Sequence, residues 1–315
     1  MTVLVSGGAG FIGANLVHRL MDAGKTVVVA DNLSRGRRNH LPAAVRLIVI
    51  DLAIVTRSVD TLAWELAGSS ISEIWHLAAN SDIPAGVANP EVDLRDTFMT
   101  TFNLLALAKR LNVPDFYFAS SSAVYGDCGA QQITESMGPL LPISNYGAMK
   151  LASEAQISAA AESHLGRAAI YRFPNVVGVP ATHGVILDFV HKLKRDPNRL
   201  EVLGDGTQQK AYLHVSDLVD AMLFAASHQK EKREVLNIGP LDDGVTVRWI
   251  AEQVRDRVSP SAALVFGLGS KGWVGDVPRF RYSTTKLQVL GWRPALDSRA
   301  AVRRAVAEIA SQEST

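Results

Sequence analysis

The sequence predicts an α/β fold: a doubly wound parallel sheet followed by a smaller, irregular α/β lobe. Short apolar runs alternate with helical patterns from the first residues, and each run ends in glycine or polar residues. This alternation loosens after about residue 175. Alternating β and α elements form a parallel sheet with helices on both faces, and the irregular remainder predicts the second lobe.

The first 31 residues have the pattern strand, turn, helix, strand. Thr2–Ser6 is a β-branched run, Phe11–Asp22 carries an apolar stripe at helical spacing, and Lys25–Ala30 is a second apolar run. Further strands are predicted at Leu47–Ile50, Ile71–Leu77, Asp115–Ala119 and Ala168–Phe173, with helices at Leu94–Leu111 and Tyr146–Leu165. The order is that of repeated βαβ units.

The C-terminal part is less regular and is interrupted by prolines. Its strands are predicted at Leu200–Leu203, Ala211–Val215 and Val235–Ile238, and its helices at Val185–Lys194, Val215–Ala226 and Val247–Val258. We therefore predict one domain over residues 1–174, with a later contribution from about 212–239, and a second lobe over residues 175–315.

Composition excludes several classes of protein. The 315 residues are 47% hydrophobic and 20% charged, and the formal charge of +1 gives no reason to expect nucleic-acid or membrane binding. No run approaches the ~18 to 20 apolar residues of a membrane span, and the N-terminus lacks the features of a signal peptide. The single cysteine, Cys128, excludes an internal disulfide and favours a reducing compartment, so we expect a cytoplasmic protein.

A glycine-rich turn joins the first predicted strand to the first predicted helix. The stretch Gly7–Gly13 (GGAGFIG) has glycines at positions 7, 10 and 13. The first permits a tight turn, the second lets the backbone approach a pyrophosphate, and the third lets the helix pack on the strand. Because the helix N-terminus also offers N–H groups to phosphates, this context predicts a Rossmann-type dinucleotide site.

Asp31 closes the second predicted strand, 18 residues after Gly13. A carboxylate at this position binds ribose hydroxyls and repels a 2′-phosphate, which favours NAD over NADP. Arginines at positions 35, 37 and 38 in the next loop leave NADP as the alternative. Asp51 ends the following strand and suits either the adenine edge of a dinucleotide or the capping of a helix N-terminus.

Tyr146 and Lys150 are four residues apart and therefore lie on one face of a predicted helix. A phenol with its ordinary pKa of about 10 is a poor base at neutral pH, but a nearby ammonium group and a nicotinamide cation stabilise the phenolate. Such a pair alone is equally consistent with a solvated surface contact. Three serines, Ser120–Ser122, follow the strand Asp115–Ala119 at the edge that lines the ligand crevice of such sheets, where a hydroxyl can hold a substrate oxygen.

Other chemistries lack their motifs. The eight histidines show no metal-ligand spacing, so no metal site is predicted. The GxSxG elbow, the GxxxxGK[ST] loop and the CxxC motif are all missing from the sequence. Cys128 is better explained as a free thiol than as a nucleophile.

Eight motifs occur in the order seen in the extended short-chain dehydrogenase/reductase family of NAD-dependent epimerases and dehydratases: GGAGFIG, DNLSRG, HLAAN, SSSAVYGD, YGAMK, RFPNVVG, GDGTQQKAYLHVSD and GWVGDVP. The chain resembles this family from residue 2 to about 295, and within it most resembles the UDP-glucose 4-epimerases. The resemblance implies a Rossmann domain with NAD, a C-terminal lobe for a nucleotide sugar that we expect to be UDP-linked, and a homodimer formed through helices 94–111 and 146–165.

The resemblance also implies roles for individual residues. Tyr146 is the base, Lys150 binds the nicotinamide ribose, and Ser121 contacts the sugar O4. The implied cofactor-binding residues are Gly7, Gly10, Phe11, Ile12, Gly13, Asp31, Asn32, Ser34, Gly36, Asp51, Leu52, Leu77, Ala78, Ala79, Tyr146, Lys150 and Pro174. The implied substrate-binding residues are Ser121, Ser122, Tyr146, Asn175, His183, Gly184, Val185, Leu203, Gln208, Lys210 and Asp276.

The chain departs from the family pattern at a few positions. Ala123 stands two residues after Ser121, where dehydratases and the related decarboxylase have an acid, which argues against 4,6-elimination. Thr97 replaces a usual asparagine. Lys210 and Trp273 stand at or near positions where relatives have arginine, and a lysine offers a point charge in place of a bidentate fork.

The sequence thus favours an NDP-sugar 4-epimerase that oxidises the sugar transiently at C4 and returns the hydride to the opposite face. A 4-ketoreductase, a dehydrogenase or an atypical dehydratase of the same family is the alternative. A catalytically idle binding protein is disfavoured because both Tyr146 and Lys150 are retained.

Overall fold

The computed structural model describes residues 2–54, 57–129, 131–269 and 281–314, and the chain divides into two compact units. The first unit comprises Met1–Gly126, Gly138–Arg172 and Met222–Leu236. The second comprises Asp127–Met137, Phe173–Ala221 and Asn237–Thr315. The functional division at residues 174 and 175 stays a prediction.

The secondary structure follows the chain in this order. The strands are β1 (Thr2–Ser6), β2 (Thr26–Asp31), β3 (Arg46–Val49), β4 (Ile71–His76), β5 (Asp115–Ala119), β6 (Gln132–Ile133), β7 (Arg167–Arg172), β8 (Asn175–Val177), β9 (Arg199–Val202), β10 (Gln209–Lys210), β11 (Tyr212–His214), β12 (Arg233–Asn237), β13 (Val245–Thr246), β14 (Ala263–Phe266) and β15 (Arg281–Tyr282). The helices are α1 (Phe11–Asp22), α2 (Arg57–Glu65), α3 (Ile83–Ala88), α4 (Pro90–Asp93), α5 (Thr100–Leu111), α6 (Asn145–Ser163), α7 (Val185–Arg195), α8 (Val215–His228), α9 (Val247–Val258), α10 (Thr285–Val289) and α11 (Ser298–Gln312).

A seven-stranded sheet organises the first unit, in the order β12-β7-β5-β4-β1-β2-β3. The pairs from β3 through to β7 all run parallel. The chain moves from β1 outward to β3 and then crosses back to β4 on the other side of β1. In open α/β sheets this reversal opens a crevice at the carboxyl ends of the strands, where ligands bind. The predicted doubly wound fold is confirmed.

Burial in the hydrophobic core explains why the strand sequences are short apolar runs. Leu4, Ile74 and Phe116 come from three neighbouring strands and are fully buried. They belong to one cluster with Leu104 of α5 and Ile157 of α6, so these helices cover one face of the sheet. Burial on both faces requires near-continuous hydrophobicity in parallel strands.

Several predicted boundaries shift. β2 includes Asp31, because the strand keeps pairing with β3 as far as Val49. The predicted helix Leu94–Leu111 consists of a π-helical turn, Leu94–Met99, followed by α5. The short elements α2, α3, β6 and β8 were not predicted.

The second unit contains small strand pairs rather than one sheet. β8 pairs with β11, β9 with β14 and β6 with β15 in parallel, and β10 pairs with β13 in antiparallel fashion. Helices α7, α9 and α11 share an apolar core, with Ile186, Ile250 and Ala301 at 2% exposure or less. In the ranges that the structure describes, no helix combines the length and apolarity needed to cross a membrane.

Candidate active site

Close backbone contacts shape the glycine-rich turn between β1 and α1. Gly7 has a φ of +68°, and a Cβ atom there would lie 2.6 Å from the backbone nitrogen of Ala78. A Cβ atom on Gly13 would collide with the carbonyl oxygen of Gly7. No side chain caps Gly10, the N-cap residue of α1, so the first N–H groups of this helix can bind phosphate. The turn therefore fits the pyrophosphate of NAD.

Asp31, at the end of β2, is only 7% exposed. Its Oδ2 accepts a hydrogen bond from the Ala9 N–H at 2.9 Å, and its Oδ1 accepts one from the Leu33 N–H at 2.8 Å. The carboxylate thus ties the glycine-rich turn to the loop after β2. Because each carboxylate oxygen has a second acceptor position, Asp31 can also accept from ribose hydroxyls.

Two of the arginines in the loop after β2 are engaged with the protein. Arg38 donates to the carbonyl oxygens of Pro42, Ala43 and Val45 at 2.8 to 3.2 Å. Arg35 forms an exposed ion pair with Asp82 at 3.0 Å. These contacts compete with any role of either guanidinium at a 2′-phosphate, in keeping with NAD rather than NADP.

The other predicted cofactor residues of the first unit surround the same strand ends. A Cβ atom on Gly36 would lie 2.6 Å from the carbonyl carbon of Ala9, so this loop packs directly on the glycine-rich turn. Asp51 accepts from the Ala53 N–H at 2.9 Å, and α2 begins only at Arg57, so Asp51 does not cap that helix. Leu52 is buried, and the Leu77 N–H donates to the Ser6 carbonyl. The Asn32 side chain accepts a hydrogen bond from the Ser34 N–H.

Ser121, Tyr146 and Lys150 meet in the first unit. Ser121 is the N-cap of a 3-10 turn, Ser122–Tyr125, and its Oγ accepts from the Ala123 N–H at 3.2 Å. The Ser121 side chain also lies close enough to the half-buried Tyr146 to lower the pKa of its phenol. Lys150 is 2% exposed, its Nζ donates to the Ala119 carbonyl at 2.6 Å, and Nζ lies 5.8 Å from the centre of the Tyr146 ring.

Burial disfavours the charged forms of both side chains, the Tyr146 phenolate and the Lys150 ammonium. It raises the pKa of Tyr146 to about 12, although the nearby Ser121 side chain lowers it. It also lowers the pKa of Lys150 to about 7, while the carboxylates of Glu154 and Asp93 raise it. Deprotonation of Tyr146 near neutral pH therefore requires Lys150 to be charged and further positive charge beside the phenol.

Thr97 holds the loop that follows β4. It is fully buried, and its hydroxyl accepts from the Asn80 N–H at 3.2 Å. The Asn80 side chain donates to Oδ1 of the buried Asp93 at 2.8 Å. The residue that departs from the family's asparagine is therefore a structural support of the HLAAN segment.

A buried polar cluster beside the three candidate catalytic residues was not predicted from the sequence. Ser120 donates to Glu154 at 2.5 Å, and Arg172 donates to both carboxylate oxygens of Glu154. The hydroxyl of Ser120 is therefore committed to Glu154, whereas its neighbour Ser121 lies beside Tyr146. The only sequence signals for this cluster were a charged residue one turn after Lys150 and an arginine ending an apolar strand.

The predicted residues of the second unit have varied surroundings. Asn175 is exposed in β8, opposite Tyr212 of β11. Gln208 is 2% exposed, and its amide nitrogen lies 3.4 Å from the carbonyl oxygen of Leu203, whose own side chain is exposed. Lys210 pairs with Val245 between β10 and β13. Pro174 lies near Gly239.

The segment expected to cover the nucleotide begins α7. Gly184 has a φ of +107° and is the N-cap residue, and Val185 is the first residue of the helix. His183 is exposed, and its Nδ1 lies 3.1 Å from the Thr182 hydroxyl. Asp276 and Trp273 lie outside the described residues. Among the described residues, no cluster of histidine, cysteine and acidic side chains could hold a metal ion.

A family model described as the NAD-dependent epimerase/dehydratase family matches residues 3–239. The chain belongs to this family. The resemblance noted from the eight motifs is therefore confirmed, and with it NAD as the cofactor of the family. The alternative of NADP has no such support.

Relatives and solved structures of this family cover almost the whole chain. A UDP-glucose 4-epimerase of Azospirillum brasilense is 32% identical over 94% of this chain and 88% of its own length. UDP-glucuronic acid decarboxylase 1 of Arabidopsis thaliana is 28% identical over 98% of this chain and 69% of its own length.

Solved structures show the same fold. The crystal structure of a UDP-galactose 4-epimerase is 37% identical, with a TM-score of 0.87 and 99% of each chain covered. A UDP-glucose 4-epimerase of Thermus thermophilus, solved in complex with NAD, is 29% identical, with a TM-score of 0.86 and 98% and 99% of the two chains covered. These similarities support an NAD-dependent epimerase/dehydratase family enzyme, and they include both epimerases and a decarboxylase.

Proposed function

We propose that this protein is a nucleotide-sugar 4-epimerase of the UDP-glucose/UDP-galactose type. The observation that carries the proposal is the convergence of Ser121 and Tyr146 with the buried Lys150, whose Nζ lies 5.8 Å from the centre of the Tyr146 ring. The same three side chains can serve a 4-ketoreductase or a dehydrogenase. Ala123 favours net isomerisation over elimination, because it provides no acid two residues after Ser121.

The chain's own residues account for the proton transfer. The Ser121 hydroxyl holds the sugar O4, and the Tyr146 oxygen removes the proton of the 4-hydroxyl group and later returns it. The Lys150 ammonium lowers the cost of the phenolate. NAD held by the glycine-rich turn and Asp31 would supply the redox chemistry: its oxidised form would accept hydride from C4, and its reduced form would return it. Because oxidation and reduction cancel within one turnover, no cofactor is consumed.

We extend the proposal to the second unit, where Asn175, Leu203, Gln208 and Lys210 and the segment His183–Val185 contact the nucleotide sugar. Asp276 belongs to the same proposal. Leu203 is 62% exposed, which leaves its side chain open to a ligand. We further propose a cytoplasmic homodimer formed through α5 and α6. Leu94, which begins the π-helical turn before α5, is 46% exposed, and Phe102, in α5, is 41% exposed. Both side chains would be covered in such a dimer.

The test is interconversion of UDP-glucose and UDP-galactose by the purified protein supplied with NAD⁺, followed by NMR with a panel of other nucleotide sugars in parallel. Epimerisation of any of them without net NADH supports the proposal. Stoichiometric appearance or loss of NADH would favour a dehydrogenase or reductase. Failure to epimerise every sugar in the panel would contradict the proposal.

A further inference from the structure

Glu154 lies in α6, one turn after Lys150, and is 5% exposed. A carboxylate so deeply buried is costly unless its oxygens are paired. Arg172, the last residue of β7, provides the pairing: its Nε donates to Oε1 at 2.9 Å and its Nη2 to Oε2 at 2.5 Å. This two-pronged geometry fixes direction as well as distance.

The same pair reaches the segment that carries Ser121. The Ser120 hydroxyl donates to Glu154 Oε1 at 2.5 Å, and Arg172 Nη1 donates to the Tyr125 hydroxyl oxygen at 3.0 Å. Ser120 directly precedes Ser121, and Tyr125 is the last residue of the 3-10 turn that Ser121 caps. Both ends of the Ser121 segment are therefore hydrogen-bonded to a single ion pair.

Glu154 itself belongs to α6, the helix that carries Tyr146 and Lys150. Ser121 and the tyrosine–lysine pair belong to segments more than twenty residues apart in sequence, so chain connectivity does not set their separation. A misplacement of about 1 Å between reacting groups can reduce the rate by about a hundredfold. Supporting contacts that hold a site to about 0.5 Å are therefore needed.

We propose that Glu154 and Arg172 form a positioning pair that sets the placement of Ser121 relative to Tyr146 and Lys150. Neither residue takes part in the chemistry itself. The inference rests on the proposed function only in assigning catalysis to these three residues. The competing explanation is that the pair merely stabilises the fold. Since well-packed apolar residues can often replace a buried ion pair without loss of stability, stability alone does not account for this pair.

The first experiment replaces both members, Glu154→Met with Arg172→Met, in the full-length protein. Double replacement removes both charges of the ion pair together, so neither partner is left buried without the other. We expect a melting temperature within a few degrees of wild type and unchanged NAD⁺ binding. We expect kcat for nucleotide-sugar epimerisation to fall at least tenfold, with KM changed less than threefold. A double variant that is stable and has wild-type kcat would overturn the proposal.

A matched control comes from the opposite end of β7. Arg167, at the start of β7, forms an analogous two-pronged pair with Asp115, at the start of β5. The double variant Asp115→Asn with Arg167→Gln should keep wild-type kcat. An equal fall of kcat in both double variants would mean that loss of either ion pair of β7 slows the reaction. That result would overturn the positioning role of Glu154 and Arg172.

If the methionine pair does not fold, Arg172→Lys decides the question. Lysine keeps the charge but cannot form both hydrogen bonds, so kcat should still fall several-fold while the melting temperature changes little. Unchanged kcat in this variant would overturn the proposal.

A crystallographic measurement separates failure of this inference from failure of the proposed function. Crystal structures of wild type and of the methionine pair (or Arg172→Lys) should show Ser121 displaced from Tyr146 by more than about 0.5 Å in the variant. This readout does not depend on activity, so it applies even if no nucleotide sugar is epimerised by the wild-type protein. An unchanged Ser121–Tyr146 contact would overturn the positioning role.

Discussion

The two ends of strand β7 carry similar ion pairs in different environments. At the amino end, Arg167 and its partner Asp115 have side-chain exposures of 41% and 16%. At the carboxyl end of β7, Arg172 and its partner Glu154 of α6 have side-chain exposures of 6% and 5%. The chemical groups are the same, but only one pair is removed from water.

The difference shows where the fold accepts the cost of buried polar groups. An exposed ion pair contributes about 0 to 1 kcal/mol, whereas removing one partner of a buried pair costs about 3 to 5 kcal/mol. The carboxyl ends of the sheet also bury Lys150 and His76, and burial lowers the pKa of His76 well below its usual value. The amino ends instead carry solvated pairs such as Lys25 with Glu73. These buried charged and polar side chains lie at the end of the sheet that holds the candidate active site.

The largest expected effect is at the carboxyl end, where Tyr146→Phe removes the proposed base. We expect turnover to fall by about 10² to 10⁴, since this is the usual contribution of a positioned acid–base group. NAD⁺ binding and the melting temperature should change little, because the ring and its packing remain. Initial rates and cofactor titration measure the two quantities. Retained turnover would show that Tyr146 is not the base. It would also contradict the assignment of catalysis to the carboxyl end of the sheet.

A second effect concerns the buried amine of Lys150, whose pKa is lowered to about 7 in the folded protein from about 10.5 in an unfolded chain. Between these values the unfolded state binds more protons, so the unfolding free energy of wild type rises with pH. Lys150→Met lacks this contribution. The difference between wild type and the variant, measured by denaturant unfolding of nucleotide-free protein, should grow by at most about 1.4 kcal/mol per pH unit above pH 7.

Below about pH 7 both states of Lys150 are protonated, and the difference between the two proteins should level off. A difference that is flat from pH 7 to 10 would show that the ammonium is not destabilised by burial. Lys150→Met should also lose turnover at every pH in this range.

The smallest effect is expected at the amino end of the sheet. Asp115→Asn should lower the unfolding free energy by about 1 kcal/mol or less, because Arg167 can be solvated after the pair is broken. Urea unfolding measures this change, and epimerisation rates should equal those of wild type. A loss of several kcal/mol would mean that the two pairs are energetically alike, contrary to the exposure difference.

Local patterns were enough to predict much of the sheet. The bounds of β1, β5, α1 and α9 agree with the expectations, because each is a short apolar run or amphipathic stretch closed by glycine, serine or a charged residue. The π-helical turn before α5 was not predicted, since its hydrogen-bond spacing leaves no clear mark on hydrophobic periodicity. Helix α11, rich in alanine and charge, was also not predicted.

Some residues of the candidate site could likewise be predicted from local patterns, and others could not. The glycine-rich turn, Tyr146 and Lys150 have local spacing rules and could be named from the sequence. The partners of Glu154 come from β5 and β7, so their meeting depends on the order of strands in the sheet. Which of the three serines lies beside Tyr146 could not be derived from spacing alone. The family resemblance pointed to Ser121, and in the structure the Ser120 hydroxyl donates to Glu154 while Ser121 lies close enough to Tyr146 to lower its pKa.

The most direct test of the central claim is the fate of the hydrogen at C4. UDP-glucose deuterated at C4 is incubated with the protein and unlabelled NAD⁺, and the UDP-galactose formed is examined by NMR and mass spectrometry. Transient oxidation with return of the same hydride predicts that the product keeps deuterium at C4 and that free NAD⁺ gains none. Loss of the label to water, or its transfer to the free cofactor, would contradict the proposed mechanism.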